Sequence, residues 1–294
     1  MTKSSKFGVS KRENHDASVF YKSKMYQNGQ IKEEKTHVQV NEIEPQYLNQ
    51  IYCNDSRDLS IFPDNSLHLM VTSPPYNVGK DYDSDLTLNE YLQLIKDVMS
   101  EIYRLLVPGG RACINIANLG RKPYIPLNAH ITKTMLDIGF LMRGEVIWNK
   151  EASSGSSTAW GSWCSASNPT LRDVHEYILI FSKGSFKRIP LNGRSKESTI
   201  TKEEFLEYTK SVWSFQTESA KRVNHPAPFP VELPRRLIQL YTFKNDIVID
   251  PFVGSGSTCV AAVRTERNYI GVDNSEEYVD NSRKRLEEEE NAHG

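Results

Sequence analysis

The chain has 294 residues, 38% hydrophobic and 25% charged, with a formal net charge of -1. That length suits one large α/β domain with a small insertion and is enough to bury a real core. The balanced charge excludes a global field that would draw the protein onto nucleic acid, so any such contact rests on local basic surface: Arg121-Lys122, residues 183–194, Lys221-Arg222 and Arg235-Arg236. Cys53, Cys113, Cys164 and Cys259 lie far apart, with no C-x-x-C and no His at ligand spacing, which excludes a zinc site and reads as the reduced thiols of an intracellular protein. No run approaches a membrane span and the polar start is no signal peptide, so the expectation is a cytoplasmic protein of a bacterium or archaeon, with no membrane partner.

Residues 1–40 are polar and aperiodic and read as an N-terminal arm, leaving 41–294 as the domain proper. Residues 51–53 and 67–71 are short apolar runs with strand character, ending at Asn54-Asp55 and Thr72-Ser73. Helical spacing covers 88–106 and stops at Val107-Pro108-Gly109-Gly110, read as a helix end followed by a turn. A strand at 112–116, a helix at 124–138 stopped by Gly139, and strands at 145–148 and 177–181 follow. Between the last two runs lies a Ser-, Gly- and Trp-rich loop, and long loops inside compact domains carry function. A helix at 202–210, a helix at 231–241, a strand at 247–249, a helix at 257–264, a strand at 269–272 and a charged helix at 275–290 complete the chain. Strands alternating with helices predict an open, largely parallel sheet covered on both faces.

Two turns that leave strands have unusual residues. Asp250-Pro251-Phe252-Val253-Gly254-Ser255-Gly256-Ser257-Thr258 follows a strand and opens a helix; its glycines allow close backbone approach and the helix start favours a carboxylate. Asp273 ends the next strand, where an acid can hold ribose hydroxyls, so the set points to a nucleoside cofactor. The second turn is Thr72-Ser73-Pro74-Pro75-Tyr76-Asn77. Its prolines fix the direction of the carbonyls. A flat amine could donate to the Ser73 hydroxyl and the Pro74 carbonyl, with Tyr76 stacked on its ring. Held so, its lone pair would point outward for in-line attack on a methyl carbon.

Ser73-Pro74-Pro75-Tyr76 resembles the Asp/Asn/Ser-Pro-Pro-Tyr/Phe motif of the DNA amino-methyltransferases, and residues 250–258 resemble their Phe-x-Gly-x-Gly cofactor motif. The likeness runs from about residue 50 to 285. The reaction motif precedes the cofactor motif, which is the permuted order of the beta class. The resemblance implies a Rossmann-like, circularly permuted methyltransferase fold with S-adenosyl-L-methionine as cofactor and target-recognition segments within 151–222. It implies that Ser73, Pro74, Pro75 and Tyr76 form the catalytic motif, and that Asp55, Asp250, Phe252, Gly254, Ser255, Gly256, Thr258 and Asp273 bind the cofactor. Asp55 would meet the adenine and Asp273 the ribose, with no metal.

The target base would be flipped out of double-stranded DNA. Ser in the first motif position favours N4 of cytosine, with N6 of adenine the alternative. The class admits a cognate restriction endonuclease as partner, and a monomer or homodimer. Trp160 and Trp163 are candidates to stack on a base; Arg172, Lys183, Lys187, Arg188 and Arg194 are candidates for phosphates or base edges. A C5-cytosine enzyme needs a Pro-Cys pair that the chain lacks, and a nicotinamide dehydrogenase leaves Ser73 to Tyr76 unexplained. An RNA amine methyltransferase and a dead DNA-binding module are the remaining alternatives.

Overall fold

The computed structural model describes residues 24, 39–76, 86–120, 122–150, 161–188, 196–217 and 229–293. The chain divides into two units, Met1–Glu34 and Lys35–Gly294, and the strands and helices named below belong to the second. The expected arm lies almost wholly outside the described residues, as do Asn77, Arg121, residues 152–160 with Trp160, Arg194, Lys221 and Arg222.

Eight strands, β1 (Gln50–Cys53), β2 (Leu67–Thr72), β3 (Leu106–Ile116), β4 (Phe140–Asn149), β5 (His175–Lys183), β6 (Val212–Ser214), β7 (Ile247–Asp250) and β8 (Asn268–Asp273), form one sheet in the order β1-β8-β7-β2-β3-β5-β4-β6. From β1 to β3 every pairing is parallel, and β5 enters antiparallel between β3 and β4. The helices are α1 (Leu88–Leu105), α2 (Leu127–Ile138), α3 (Lys202–Tyr208), α4 (Glu232–Tyr241), α5 (Ser257–Arg264) and α6 (Glu276–His293).

The central strands are buried on both faces because alternate side chains feed two cores. Ala112, Ile114, Ile249 and Ile270 point into the core made with Ile95 and Ile102 of α1 and Met135 of α2. Cys113, Val248 and Tyr269 point into the one made with Leu237 of α4, Val260 of α5 and Val279 of α6. A two-sided sheet explains why these strands read as unbroken apolar runs rather than as alternating ones. Each fully buried Ile or Leu contributes roughly 1.5–3 kcal/mol.

The structure corrects two boundaries. β3 begins at Leu106, expected as the last helical residue, and runs through 107–110, where a turn is expected. Leu106 pairs with Leu67 and Arg111 with Leu69, so residues 107–110 bulge out of register, and Gly109 takes a φ of 78° to do it. β4 begins at Phe140 rather than 145, with a second irregularity between Met142 and Gly144. The edge strand β6 has no counterpart in the sequence reading; Trp213 is its one buried side chain.

α1 starts with a reciprocal cap. The Thr87 hydroxyl accepts from the Glu90 amide at 3.3 Å, and the Glu90 carboxylate accepts from the Thr87 amide at 2.8 Å. Arg104, near the other end of α1, donates to the Phe62 and Leu59 carbonyls and pairs with Asp64 and Glu101. Arg104→Ala is expected to cost about 1–3 kcal/mol, because it leaves buried or half-buried carbonyls without their donor. Urea denaturation checks this; a loss below about 0.5 kcal/mol would show that the clamp is idle.

Candidate active site

β2 and β7 are neighbours, yet the chain leaves them in opposite directions. β2 continues through α1 to β3, and β7 through α5 to β8 on the other side. A crevice opens outside the carboxyl ends of strands where connections diverge like this. The two turns singled out in the sequence stand on either side of it.

They are bonded to each other through buried side chains. Thr72 Oγ1 donates to Asp250 Oδ1 at 2.6 Å, Thr258 Oγ1 donates to Asp250 Oδ2 at 2.8 Å, and the Phe252 amide donates to Oδ1 at 3.1 Å. Asp250 is fully buried, and burial pushes its carboxyl up to about 7 against the pull of those bonds. Its side chain therefore faces the protein and holds the two loops together. Thr258, also buried, belongs to the same clamp.

Further ties hold the neighbouring loops. Ser56 Oγ donates to the Pro251 carbonyl at 2.6 Å, the Gly254 amide donates to Asp273 Oδ2 at 3.0 Å, and the Asn54 amide donates to the Asp273 carbonyl at 2.9 Å. Arg285 of α6 donates to the Ser255 carbonyl at 2.9 Å. Gly256 caps α5 with a φ of 78°, and a Cβ there would sit 3.1 Å from that of Ser282, so the turn packs directly on α6.

A cavity of about 410 Å³ opens at these loops. Pro75, Phe252, Asp55 and Asp273 line it, and α1 supplies a wall with Tyr91 and Leu94. The lining includes four carboxylates, Asp55, Glu90, Asp97 and Asp273, against the one guanidinium of Arg57. Asp55 is held bidentately by Arg57, which pulls its carboxyl below the usual range, whereas burial raises that of Asp273. An acidic wall, an aromatic ring and an acid at a strand end fit a ligand with positive charge, a planar base and a ribose. Those are the parts of S-adenosyl-L-methionine. The α1 wall lies beyond what the motifs indicated; its signal is polar Glu90, Gln93 and Asp97 on one side of an otherwise core-facing helix.

Ser73, half-buried, lies at the head of a polar network that the sequence reading missed. Ser73 Oγ and Tyr76 Oη are 3.1 Å apart, and Tyr76 Oη donates to Glu176 Oε2 at 3.2 Å. Asn115 Nδ2 donates to Glu176 Oε2 at 2.5 Å and to Tyr76 Oη at 3.3 Å, and Lys150 Nζ donates to Glu176 Oε1 at 2.6 Å. Burial and then the Glu176 charge push the Tyr76 hydroxyl well above its ordinary value. Asn115 and Glu176 were detectable as polar residues at apolar strands.

Several basic candidates are engaged elsewhere. Lys183 donates to Asn65 and to the Arg104 carbonyl, and Arg188 pairs with Asp246; both are at the amino ends of the parallel strands, away from the cavity. Arg235 pairs with Glu204 and Glu232, and buried Arg236 lies over the Tyr208, Trp213 and Phe215 rings. Trp163 and Leu171, before β5, are 71% and 91% exposed.

The sequence model N6_N4_Mtase, described as DNA methylase, matches residues 67–284. The Type II methyltransferase M.MjaI of Methanocaldococcus jannaschii is 31% identical over 282 residues, covering 82% of this chain and 90% of that protein. M.MjaVI of the same organism is 42% identical over 166 residues, covering 55% of this chain and 83% of that protein. The structure of TTHA0409 from Thermus thermophilus, complexed with S-adenosyl-L-methionine, superposes with a TM-score of 0.66 at 30% identity, covering 82% of this chain and 94% of that one.

The Asp250 clamp makes stability depend on pH. Its folded value, about 7, lies above the ordinary 3.8, so the folded chain holds this proton more tightly than the unfolded one. The group therefore favours folding below pH 4, and that advantage is lost as pH rises through about 7. The loss is on the order of 4 kcal/mol across the window. Asp250→Asn is expected to remove this slope, measured as unfolding free energy in urea at a series of pH values; an unchanged slope would place the titration elsewhere.

Proposed function

The chain belongs to the N6/N4 DNA methylase family, and from that premise we propose that it methylates the N4 amine of cytosine in a base flipped out of the duplex. It is a DNA methyltransferase that uses S-adenosyl-L-methionine, and its substrate is double-stranded DNA. The relatives are named Type II methyltransferases, which supports a restriction-modification setting and a cognate endonuclease as partner. No described helix is long and apolar enough to cross a membrane.

The observation that carries the choice of base is Ser73. A serine rather than an aspartate begins the motif, and its hydroxyl stands on the stiff loop beside the cavity that fits the cofactor. When bound, the cofactor supplies a methyl on a positively charged sulfur. Phe252 gives it an apolar face, Asp273 takes the ribose hydroxyls, Asp55 reaches the adenine, and Gly254, Ser255 and Gly256 shape the turn. The Ser73 hydroxyl and the Pro74 carbonyl accept the two amine hydrogens, drawing nitrogen toward a tetrahedral form. The Tyr76 ring orients the base. Asp250 and Thr258 act through the loops they join. A stacked base cannot bring its amine to such a crevice, which supports flipping. N6 of adenine satisfies the same two acceptors and is the alternative. Residues 151–222 are the proposed recognition segments, with exposed Trp163 as a base-stacking side chain.

Digestion of methylated DNA to nucleosides followed by mass spectrometry is expected to show N4-methylcytosine; N6-methyladenine alone would transfer the reading to adenine. Ser73→Ala is expected to lower kcat on unmethylated DNA about 100-fold while cofactor affinity stays within twofold, since one acceptor at the reacting centre is lost. Phe252→Ala is expected to weaken cofactor binding about tenfold, or about 1.4 kcal/mol, by calorimetry. Unchanged binding would remove Phe252 from the cofactor site.

A further inference from the structure

A serine hydroxyl is ambiguous: it can present a hydrogen or a lone pair to a substrate. Ser73 must present lone pairs if it is to hold an amine. The chain of bonds behind it settles which it does. The Glu176 carboxylate can only accept. It accepts from Lys150 on Oε1, and from Asn115 and Tyr76 on Oε2. Tyr76 has one hydroxyl hydrogen, and with that hydrogen on Glu176 it has none for Ser73. The 3.1 Å contact between Ser73 and Tyr76 then runs from the Ser73 hydroxyl to the Tyr76 oxygen, which also accepts from Asn115. The lone pairs of Ser73 are left facing away from the network.

We infer that Glu176 is a positioning residue which, through Tyr76, fixes Ser73 as a hydrogen-bond acceptor for the target amine and receives the proton that the methylated amine sheds. The inference rests on the methyl-transfer reading above. In the balanced step the amine nitrogen forms its bond to the methyl carbon as the carbon–sulfur bond breaks, the electron pair of that bond remaining on sulfur. The nitrogen, now cationic, loses one proton to Ser73 Oγ. Ser73 passes its own proton to Tyr76 Oη, and Tyr76 passes its own to Glu176 Oε2. Serine and tyrosine end as they began, and Glu176 carries the proton until water removes it. Among the described residues, the charged and titratable groups bonded to Glu176 are Lys150 at the end of β4 and Tyr76 in the β2 loop; Asn115 of β3 is neutral. Its strand neighbours His175 and Tyr177 pack on each other, ring centroids 4.9 Å apart.

Glu176→Gln tests the polarity with little change of shape. A glutamine amide can donate to Tyr76, which then donates to Ser73 and turns the Ser73 hydrogen outward. The full chain with its cofactor is assayed on DNA free of methylated bases, and sequencing of the product gives the target. Glu176→Gln is expected to lower kcat about 100-fold with cofactor affinity within twofold. Affinity is then compared for a target duplex and for one whose target amine is replaced by a carbonyl, uracil for cytosine or hypoxanthine for adenine. Wild type is expected to prefer the amine, and Glu176→Gln to weaken that preference to the share the Pro74 carbonyl alone supplies. Adding Ser73→Asp, which supplies an acceptor directly, is expected to recover at least about tenfold of the lost kcat. Tyr76→Phe, which leaves the Lys150–Glu176 pair intact, is expected to reproduce the loss if Glu176→Gln folds poorly. A Glu176→Gln enzyme with kcat within threefold of wild type, or with its amine preference intact, would overturn the inference. Wild type that transfers no methyl to DNA would instead overturn the reading on which it rests.

Discussion

Asp250 is a carboxyl group buried where water does not reach, and its partners among the described residues, Thr72, Thr258 and the Phe252 amide, are all neutral. Thr72 lies 178 residues earlier in the chain. Sheet order makes the meeting possible, because the late strand β7 inserts beside the early strand β2. Burial favours the uncharged form of the acid, and the surroundings accommodate it. A protonated Asp250 donates to the Thr258 oxygen, whose own hydrogen can turn to the Val71 carbonyl 3.3 Å away. The clamp therefore keeps its bonds in either protonation state, and its net cost is lower when neutral. It fixes the distance between the 250–258 turn and the Ser73–Tyr76 loop, on which in-line transfer depends in the proposed reaction.

Charge is distributed by depth around that clamp. The exposed rim carries ionised groups in pairs such as Asp55 with Arg57, which water screens. The cavity wall carries an excess of carboxylate, suited to a cationic ligand. Beneath the reaction loop, the Lys150–Glu176 pair is only 18% and 12% exposed and has little solvent to reorganise around it. Pairs at that depth are costly to form and costly to break. Their geometry is correspondingly fixed, and a fixed acceptor is what an ambiguous hydroxyl such as Ser73 requires.

Much of this was legible from residues alone. The central strands announced themselves as apolar runs because both faces are buried, and the two turns singled out by their residues, Ser73 to Tyr76 and 250–258, are brought to one cavity. The starts of β3 and β4 were not legible, because register irregularities at 107–110 and near Gly144 put glycine and proline where a strand continues. β6 escaped because three residues with one buried tryptophan leave no periodicity. The direction of the Asp250 side chain was hidden for another reason: a motif reports which residues recur together, not which way each faces. The partnership of Asn115, Lys150 and Glu176 was hidden most completely. They lie on or at the ends of three strands that sheet order alone brings together, and no spacing along the chain connects them.

That same sheet order joins the reaction loop to the segment expected to read the DNA. Residues 151–174 connect β4 to β5. The ends of this connection are fastened twice. The Lys150 amide donates to the Val174 carbonyl at 2.8 Å, and the Lys150 ammonium binds Glu176 at 2.6 Å. The second fastening is also the far end of the chain of bonds that reaches Ser73 through Tyr76. The connection carries exposed Trp163 and Leu171. Two demands thus fall on one ion pair: it ties the two ends of the connection, and in the proposed reaction it orients the Ser73 hydroxyl. In the proposed reaction, a duplex that engaged residues 161–174 would act on a connection whose closing ion pair also supports the Ser73 loop, so that recognition and reaction would share a structural element.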